Sequence, residues 1–217
     1  MKKKNREIQK PDLPQSLEPL SIKEIADHSS FELGRMETTV GPIHAKHVRF
    51  REIHVRNVVF EKTHLPFSSW IDVVFEKCDL SNADFSGAKL NRVEFIDCKM
   101  RGANFDHVVM RDVSWVNCQA PYSRFSLTEL KDVRFENCFL SGSNFLDSSV
   151  DNLQLGTTTI DDVQFSGTSL KNVDLSECQY TYIHLREDDL RGAIVSPEQA
   201  ISLIEVFGVK VNHHPIS

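Results

Sequence analysis

Every fifth residue from Val40 to Leu190 is apolar or aromatic, without a break. Only 40% of the chain is hydrophobic, so chance would give such a run a probability on the order of 10⁻¹². A period of five matches neither the 3.6 of a helix nor the 2.0 of a plain strand, so each unit must be a short extended piece closed by a turn. The residue two places earlier is also restricted. It runs from Ile43, Val48, Ile53 and Val58 to Ala193, mostly small or β-branched, with Asp188 as the single carboxylate. Residues two apart on an extended piece share a side. Both therefore point inward, and the other three positions face solvent or form a corner.

A longer period is superimposed on this one. Cys78, Cys98, Cys118 and Cys138 are 20 apart, Cys178 lies two further steps on, and Thr158 fills the gap. Phe85, Phe105, Phe125, Phe145 and Phe165 repeat the spacing. Twenty residues are four units, so one coil has four faces and residues 20 apart stack. The fold class is an all-β solenoid, a quadrilateral β-helix of about eight coils, roughly 35–40 Å long at the inter-strand spacing. Ala120 is small for a core position but shares its coil with Trp115, so the volume balances within the coil.

The ends of such a stack invite association and need caps. Ser196-Pro197-Glu198-Gln199 reads as a capping box with proline in the first helical turn. Ala200, Leu203, Ile204 and Phe207 form a helical stripe, and Gly208 is the stop. Ile201 and Val206 widen the stripe, so Ala200, Ile201, Leu203, Ile204 and Phe207 are the candidate cap or dimer surface, and the chain is a monomer or a two-fold homodimer. Val209-Lys210-Val211 alternates as a short strand does. Ser21-Ile22-Lys23-Glu24 reads as a second capping box opening a helix over Ile22, Ile25 and Ala26, and residues 1–16, with Pro11 and Pro14, as an unstructured tail. Residues 1–36 are thus assigned to tail and capping helix, 37–195 to the solenoid, and 196–217 to the C-terminal cap and tail.

Several constellations invite a chemical reading, and packing or solvation accounts for each. The cysteines occupy the small inward position, where the residue behaves as a compact hydrophobe, and a buried thiol reacts slowly. His44, His64 and Asp84 fall in one outward row, but three ligands without a fourth or a second shell are a weak signal, so a metal-binding protein or enzyme using this face ranks only as the second alternative to an interaction module. Arg111, Lys131, Asp151, Lys171 and Arg191 form an axial charge ladder, and Asn117 and Asn137 a stacked amide pair. Asp188 is expected to point inward and bond near Arg191 or the cap backbone. There is no nucleophile elbow, phosphate-binding glycine loop or Ser/His/Asp arrangement, so no catalytic residue, metal or cofactor is assigned.

The formal charge of −6 is unevenly spread: residues 1–70 carry 12 Lys/Arg against 9 Asp/Glu (+3), and residues 71–217 carry 13 against 22 (−9). Met1-Lys2-Lys3-Lys4 precedes no apolar run of signal-peptide length. The five cysteines include no Cys-x-x-Cys pair, which points to a reducing cytoplasm. The candidate partner-binding acidic surface comprises Asp151, Asp161, Asp162, Glu177, Glu187 and Asp189. The partner is expected to be another protein, with neither direct nucleic-acid nor membrane binding.

The segment Ala83-Asp84-Phe85-Ser86-Gly87-Ala88-Lys89-Leu90 resembles the pentapeptide-repeat family, and the likeness covers roughly residues 37–195. It implies a right-handed square β-helix and a non-catalytic interaction module. The chain is also similar to the family's quinolone-resistance members in its acidic body and C-terminal helix. That likeness implies mimicry of DNA, binding to a type II topoisomerase (DNA gyrase or topoisomerase IV) and dimerisation through the helix. It departs from them in lacking long loop insertions, in its basic first coils and in placing its acids at different corners.

Overall fold

The computed structural model describes residues 6–20, 24–37, 42–60 and 62–211. Its corners are set by backbone conformation. From Ala45 to Val150 the residue two places after each large inward residue whose corner is described adopts positive φ, as at Glu52, Asp72, Arg92, Asp112, Asp132 and Asn152 (φ 51 to 63°). Asn57, Lys77, Asp97, Asn117 and Asn137 form a second such column at φ 50 to 55°. The left-handed region costs an L-residue little only when the side chain is Gly, Asn or Asp, which explains the richness in these types at the corners. One left-handed residue per five turns the chain once per unit, and four turns close a coil.

Seven parallel strands stack in chain order: β1 (Ser30–Met36), β2 (Arg49–Arg56), β3 (Ser69–Glu76), β4 (Lys89–Ile96), β5 (Val109–Val116), β6 (Glu129–Glu136) and β7 (Ser149–Leu155). From β2 to β7 each partner lies 20 residues on, as in Val73↔Val93 and Val93↔Val113, whereas the first step is 19, Gly34↔Ile53. The two-residue strands β8 (Val163–Gln164) and β9 (Ile183–His184) pair separately. A column of bridges from His44 through His64, Asp84, Asn104, Arg124, Asn144 and Gln164 to His184 threads eight successive coils.

The inward positions are filled as the five-residue period requires. Phe85, Phe105, Phe125, Phe145 and Phe165 stack with centroids 4.5 to 5.4 Å apart. Phe75, Phe95, Trp115 and Phe135 form a second stack at 4.3 to 5.3 Å. The two meet edge to face, Phe105 against Trp115 at 5.2 Å and 83°, the arrangement aromatic quadrupoles favour. The small inward side chains have a second task. Cys98, Cys118, Ser123, Thr128, Cys138, Ser143 and Ser148 each donate to the carbonyl 23 residues earlier, for example Ser123 Oγ to Met100 O at 2.7 Å.

Three features depart from the regular coil. Ser30–Met36 is strand rather than tail or cap, so the sheet starts inside the segment assigned to the N-terminal cap. Of the expected capping helix, residues 21–23 lie outside the described residues, and Glu24, Ile25 and Ala26 carry no regular structure. Near the other end, Thr157 stands where Asn117 and Asn137 are left-handed, and it does not adopt positive φ. A β-branched residue resists that region. The corner is displaced, and among the described residues no backbone hydrogen bond joins β7 to the following coil. Bonds such as Ile160 N to Gln179 O (2.9 Å) keep the opposite faces closed. The resulting crevice of about 240 Å³ is lined by Arg134, Glu136, Gln154, Asp174 and Glu177, among others.

Helix α1 (Pro197–Val206) closes the rod with the expected capping box: Ser196 Oγ accepts from Gln199 N (3.2 Å), and Ser196 N donates to Gln199 Oε1 (2.9 Å). Gln199 Nε2 also donates to Leu175 O and Cys178 O at 2.9 and 3.0 Å, pinning the helix to the last coil. Leu203 is buried, but Ile201, Ile204 and Phe207 remain about two-fifths exposed. Gly208 is left-handed at φ 81°. Residues 209–211 form no strand.

Candidate interaction surfaces

Residues 6–20 form a strap laid along the rod; of the tail expected over residues 1–16, residues 1–5 lie outside the described residues and 6–16 belong to this strap. The main chain of Arg6 accepts from Asn152 Nδ2 (3.1 Å) and its guanidinium pairs with Asp132 (3.3 Å). Gln9 N donates to Asp112 Oδ1 at 3.0 Å, and Asp12 N to Asp72 Oδ1 at 2.9 Å. At Leu20 the strap joins the first coil, donating to Arg35 O at 2.7 Å. The spacing has a simple origin. Three extended residues span roughly 10 Å and two coils about 9.6 Å, so an extended chain meets every second coil at every third residue.

Asp72 anchors this surface. Arg92 grips it with two hydrogen bonds of 2.6 Å, from Nε and Nη2. Burial pushes the Asp72 carboxyl up, but the Arg92 hydrogen bonds and the Asp12 N–H outweigh it and hold the pKa below the usual carboxylate range. A folded-state pKa below the unfolded value contributes stability that is present above about pH 4 and is lost as pH falls through the folded value. Acid titration followed by circular dichroism should therefore show wild-type stability falling more steeply below pH 4 than that of Asp72→Asn.

The acidic residues singled out from the sequence do not form one patch. Asp162, Glu177 and Glu187 are exposed but stand at three different corners. Asp162 lies 2.7 Å from His184 Nε2, and exposed Asp151 lies 4.0 Å from Lys131 Nζ. Asp161 accepts from the backbone of Thr181 (2.7 Å) and Tyr182 (3.2 Å), which hold its pKa below the ordinary range. Asp188 and Asp189 exchange the expected roles. A 3₁₀ turn over Glu187–Leu190 rotates the chain, leaving Asp188 exposed beside Arg191 (3.2 Å). Asp189 is 8% exposed and accepts from Gly167 N (3.0 Å) and Arg186 N (2.9 Å), so it braces the last coil and is not surface.

The remaining rows are structural. Asn137 Nδ2 donates to Asn117 Oδ1 (2.8 Å), and Asn117 Nδ2 to Asp97 Oδ1 (3.0 Å). The rings of His44 and His64 stack at 4.9 Å with planes 15° apart, and Asp84 lies 3.7 Å from His64 Nδ1. Lone pairs in near-parallel ring planes do not converge on one ion, and among the described residues no three His, Cys, Asp or Glu side chains group as a metal site. All five cysteines are buried and unpaired, and burial pushes the Cys178 thiol up to about 12.

The strap and its seat, Asp72, Asp112 and Asp132, escaped the sequence reading. Two signals pointed to them: the 20-residue row of polar residues from Glu52 to Asn152, and Ile8, Leu13 and Leu17 in a segment otherwise polar and proline-rich.

A model of the pentapeptide repeat region matches residues 68–145. A search of curated proteins found no match. Among solved structures, QnrB1, a plasmid-mediated fluoroquinolone resistance protein, is 20% identical over 87% of this chain and 99% of its own, with a TM-score of 0.45. HetL from the cyanobacterium Nostoc sp. strain PCC 7120, a pentapeptide repeat protein involved in heterocyst differentiation regulation, is 15% identical over 78% of this chain and 86% of its own (TM-score 0.37). A pentapeptide repeat protein of the Arabidopsis thaliana thylakoid lumen is 20% identical over 59% of this chain and 75% of its own (TM-score 0.40). These likenesses carry no functional information.

Proposed function

We propose that this pentapeptide-repeat protein is a binding module that recognises another protein through its outer faces or its capped end. The observation that carries the reading is the filled interior. Aromatic, aliphatic and small polar side chains fill every inward position from Ile43 to Ser148 at 0 to 5% exposure, so recognition falls to the surface. Five unpaired thiols support a reducing compartment. No helix among the described residues is long and apolar enough to cross a membrane. The test is capture from a lysate of the native organism by the immobilised wild-type chain and two surface variants, Asp162→Lys/Glu187→Lys and Ile204→Lys/Phe207→Lys. A protein retained by wild type and lost from one variant with unchanged melting supports the proposal. Retention of bead background alone, or substrate turnover that survives purification, contradicts it.

A second, narrower reading is mimicry of DNA toward a type II topoisomerase. What supports it is the charge of residues 151–190, with 8 Asp/Glu against 2 Lys/Arg (−6), a density that steers toward a basic DNA-binding surface. A gyrase supercoiling assay with and without quinolone tests it, and no effect at stoichiometric excess sinks it. Ile194, Ile201, Ile204, Phe207 and Val209, each 38 to 52% exposed at the capped end, are the proposed contact with a second copy. Light scattering should then give a dimer for wild type and a monomer for Ile204→Lys/Phe207→Lys.

A further inference from the structure

The column that holds the strap differs from its equivalents elsewhere on the rod. Asp97, Asp147 and Asp162 also occupy left-handed corner positions, and all three are exposed. At the same turn position Asp72, Asp112 and Asp132 are only 4, 3 and 3% exposed. The strap crosses this corner and contacts all three, while Arg92 and Asn152 of the neighbouring coils also hold Asp72 and Asp132.

The strap is a loose cover. Its described residues are exposed or half-buried, none fully buried, and the Arg6 side chain is 56% exposed even while paired. A cavity of about 200 Å³ remains between residues 6–10 and the face carrying Glu94, Ser114, Arg134 and Gln154. Within it the buried Arg134 Nε has no hydrogen-bond partner. Of the five contacts anchoring residues 6–12, two use backbone N–H groups and two the Arg6 carbonyl, so the Arg6 guanidinium is the one strap side chain among them. Segments with little burial open locally at a small fraction of the global unfolding free energy.

We propose that this corner is a binding site for an extended, arginine-bearing segment of a protein partner, and that residues 6–12 are a displaceable internal ligand occupying it. A partner segment would place its main chain along Asp72 and Asp112, set its cation on Asp132, and offer a carbonyl or carboxylate to Arg134. This rests on the reading of the chain as a binding module and names one surface and the chemistry it takes. The charge-assisted bonds from N–H and guanidinium to carboxylate supply the affinity. The strap lowers it by competing at high effective concentration.

The test uses the full-length chain and a fluorescent peptide of residues 1–16. Arg6→Glu/Ile8→Asp, which loosens the strap in place, should bind the peptide at least tenfold more tightly than wild type by fluorescence anisotropy. Adding Asp112→Asn/Asp132→Asn should abolish that binding, and a peptide carrying Arg6→Glu should bind at least tenfold more weakly. A loosened chain with an intact melting transition that binds no peptide overturns the proposal, as does equal binding by the asparagine variant. Should the loosened variant fail to fold, hydrogen exchange on wild type decides: amides 8–13 must exchange at least 100-fold faster than those of β3 to β6, and equal protection rules out displacement. Failure here leaves capture of a partner through another face intact, so the two ideas fall separately.

Discussion

Phe125→Ala is expected to destabilise the chain by about 3–5 kcal/mol, the range for deleting a fully buried aromatic ring. Phe125 is 0% exposed, stacked between Phe105 (5.3 Å) and Phe145 (4.5 Å) and edge-on to Trp115 (5.7 Å) and Phe135 (6.0 Å). Coils above and below are hydrogen-bonded at a fixed spacing, so the cavity cannot collapse by moving one coil without breaking its ladder. The control is Phe139→Ala. Phe139 is 44% exposed on an outer face, so its loss should cost within about 0.5 kcal/mol. Thermal denaturation should place the first variant roughly 6–20 °C below wild type and the second beside it. Similar shifts for both would mean that the inward and outward registers are wrongly assigned.

Ala120→Leu carries the next largest effect, about 1–3 kcal/mol of overpacking. Ala120 and Trp115 are both 0% exposed, and the alanine is where the coil yields space to the indole. Trp115 Nε1 is buried without a hydrogen-bond partner, whereas Trp70 Nε1 donates to Ser68 Oγ at 2.8 Å. Replacing Trp115 by Leu thus removes bulk and an unsatisfied donor together. The double variant Ala120→Leu/Trp115→Leu should lose less than the sum of the single losses, which a double-mutant cycle measures. Strict additivity would show that the two side chains do not share a volume.

What the sequence made legible follows from which interactions repeat. The inward positions recur every five residues because each must fill the same space, so Val73, Phe75, Cys78 and Leu80 could all be placed without coordinates. The C-terminal helix was equally readable, since Ser196 and Gln199 act on near neighbours. The strap was hidden because its contacts are backbone groups meeting Asp72 and Asp112 across 60 and 103 residues, and a backbone N–H has no sequence signature. Asp188 was misplaced for a related reason. The count of five assumes a left-handed corner in each unit, and among the described residues past Asn172 the only positive φ values are at Gly192 and Gly208. Register drifted by one residue there, so Asp189 took the inward site.

The claim on which the rest depends is that the five-residue period divides the chain into a sealed interior and a surface free to bind. The native thiols test it directly. Cys78, Cys98, Cys118, Cys138 and Cys178 are 1 to 6% exposed, whereas Gln119, beside Cys118, faces solvent. Treated briefly with a thiol reagent under native conditions, wild type should release no fast equivalent, Gln119→Cys one, and the unfolded wild-type chain all five. Rapid labelling of several native cysteines in the folded protein would contradict the account.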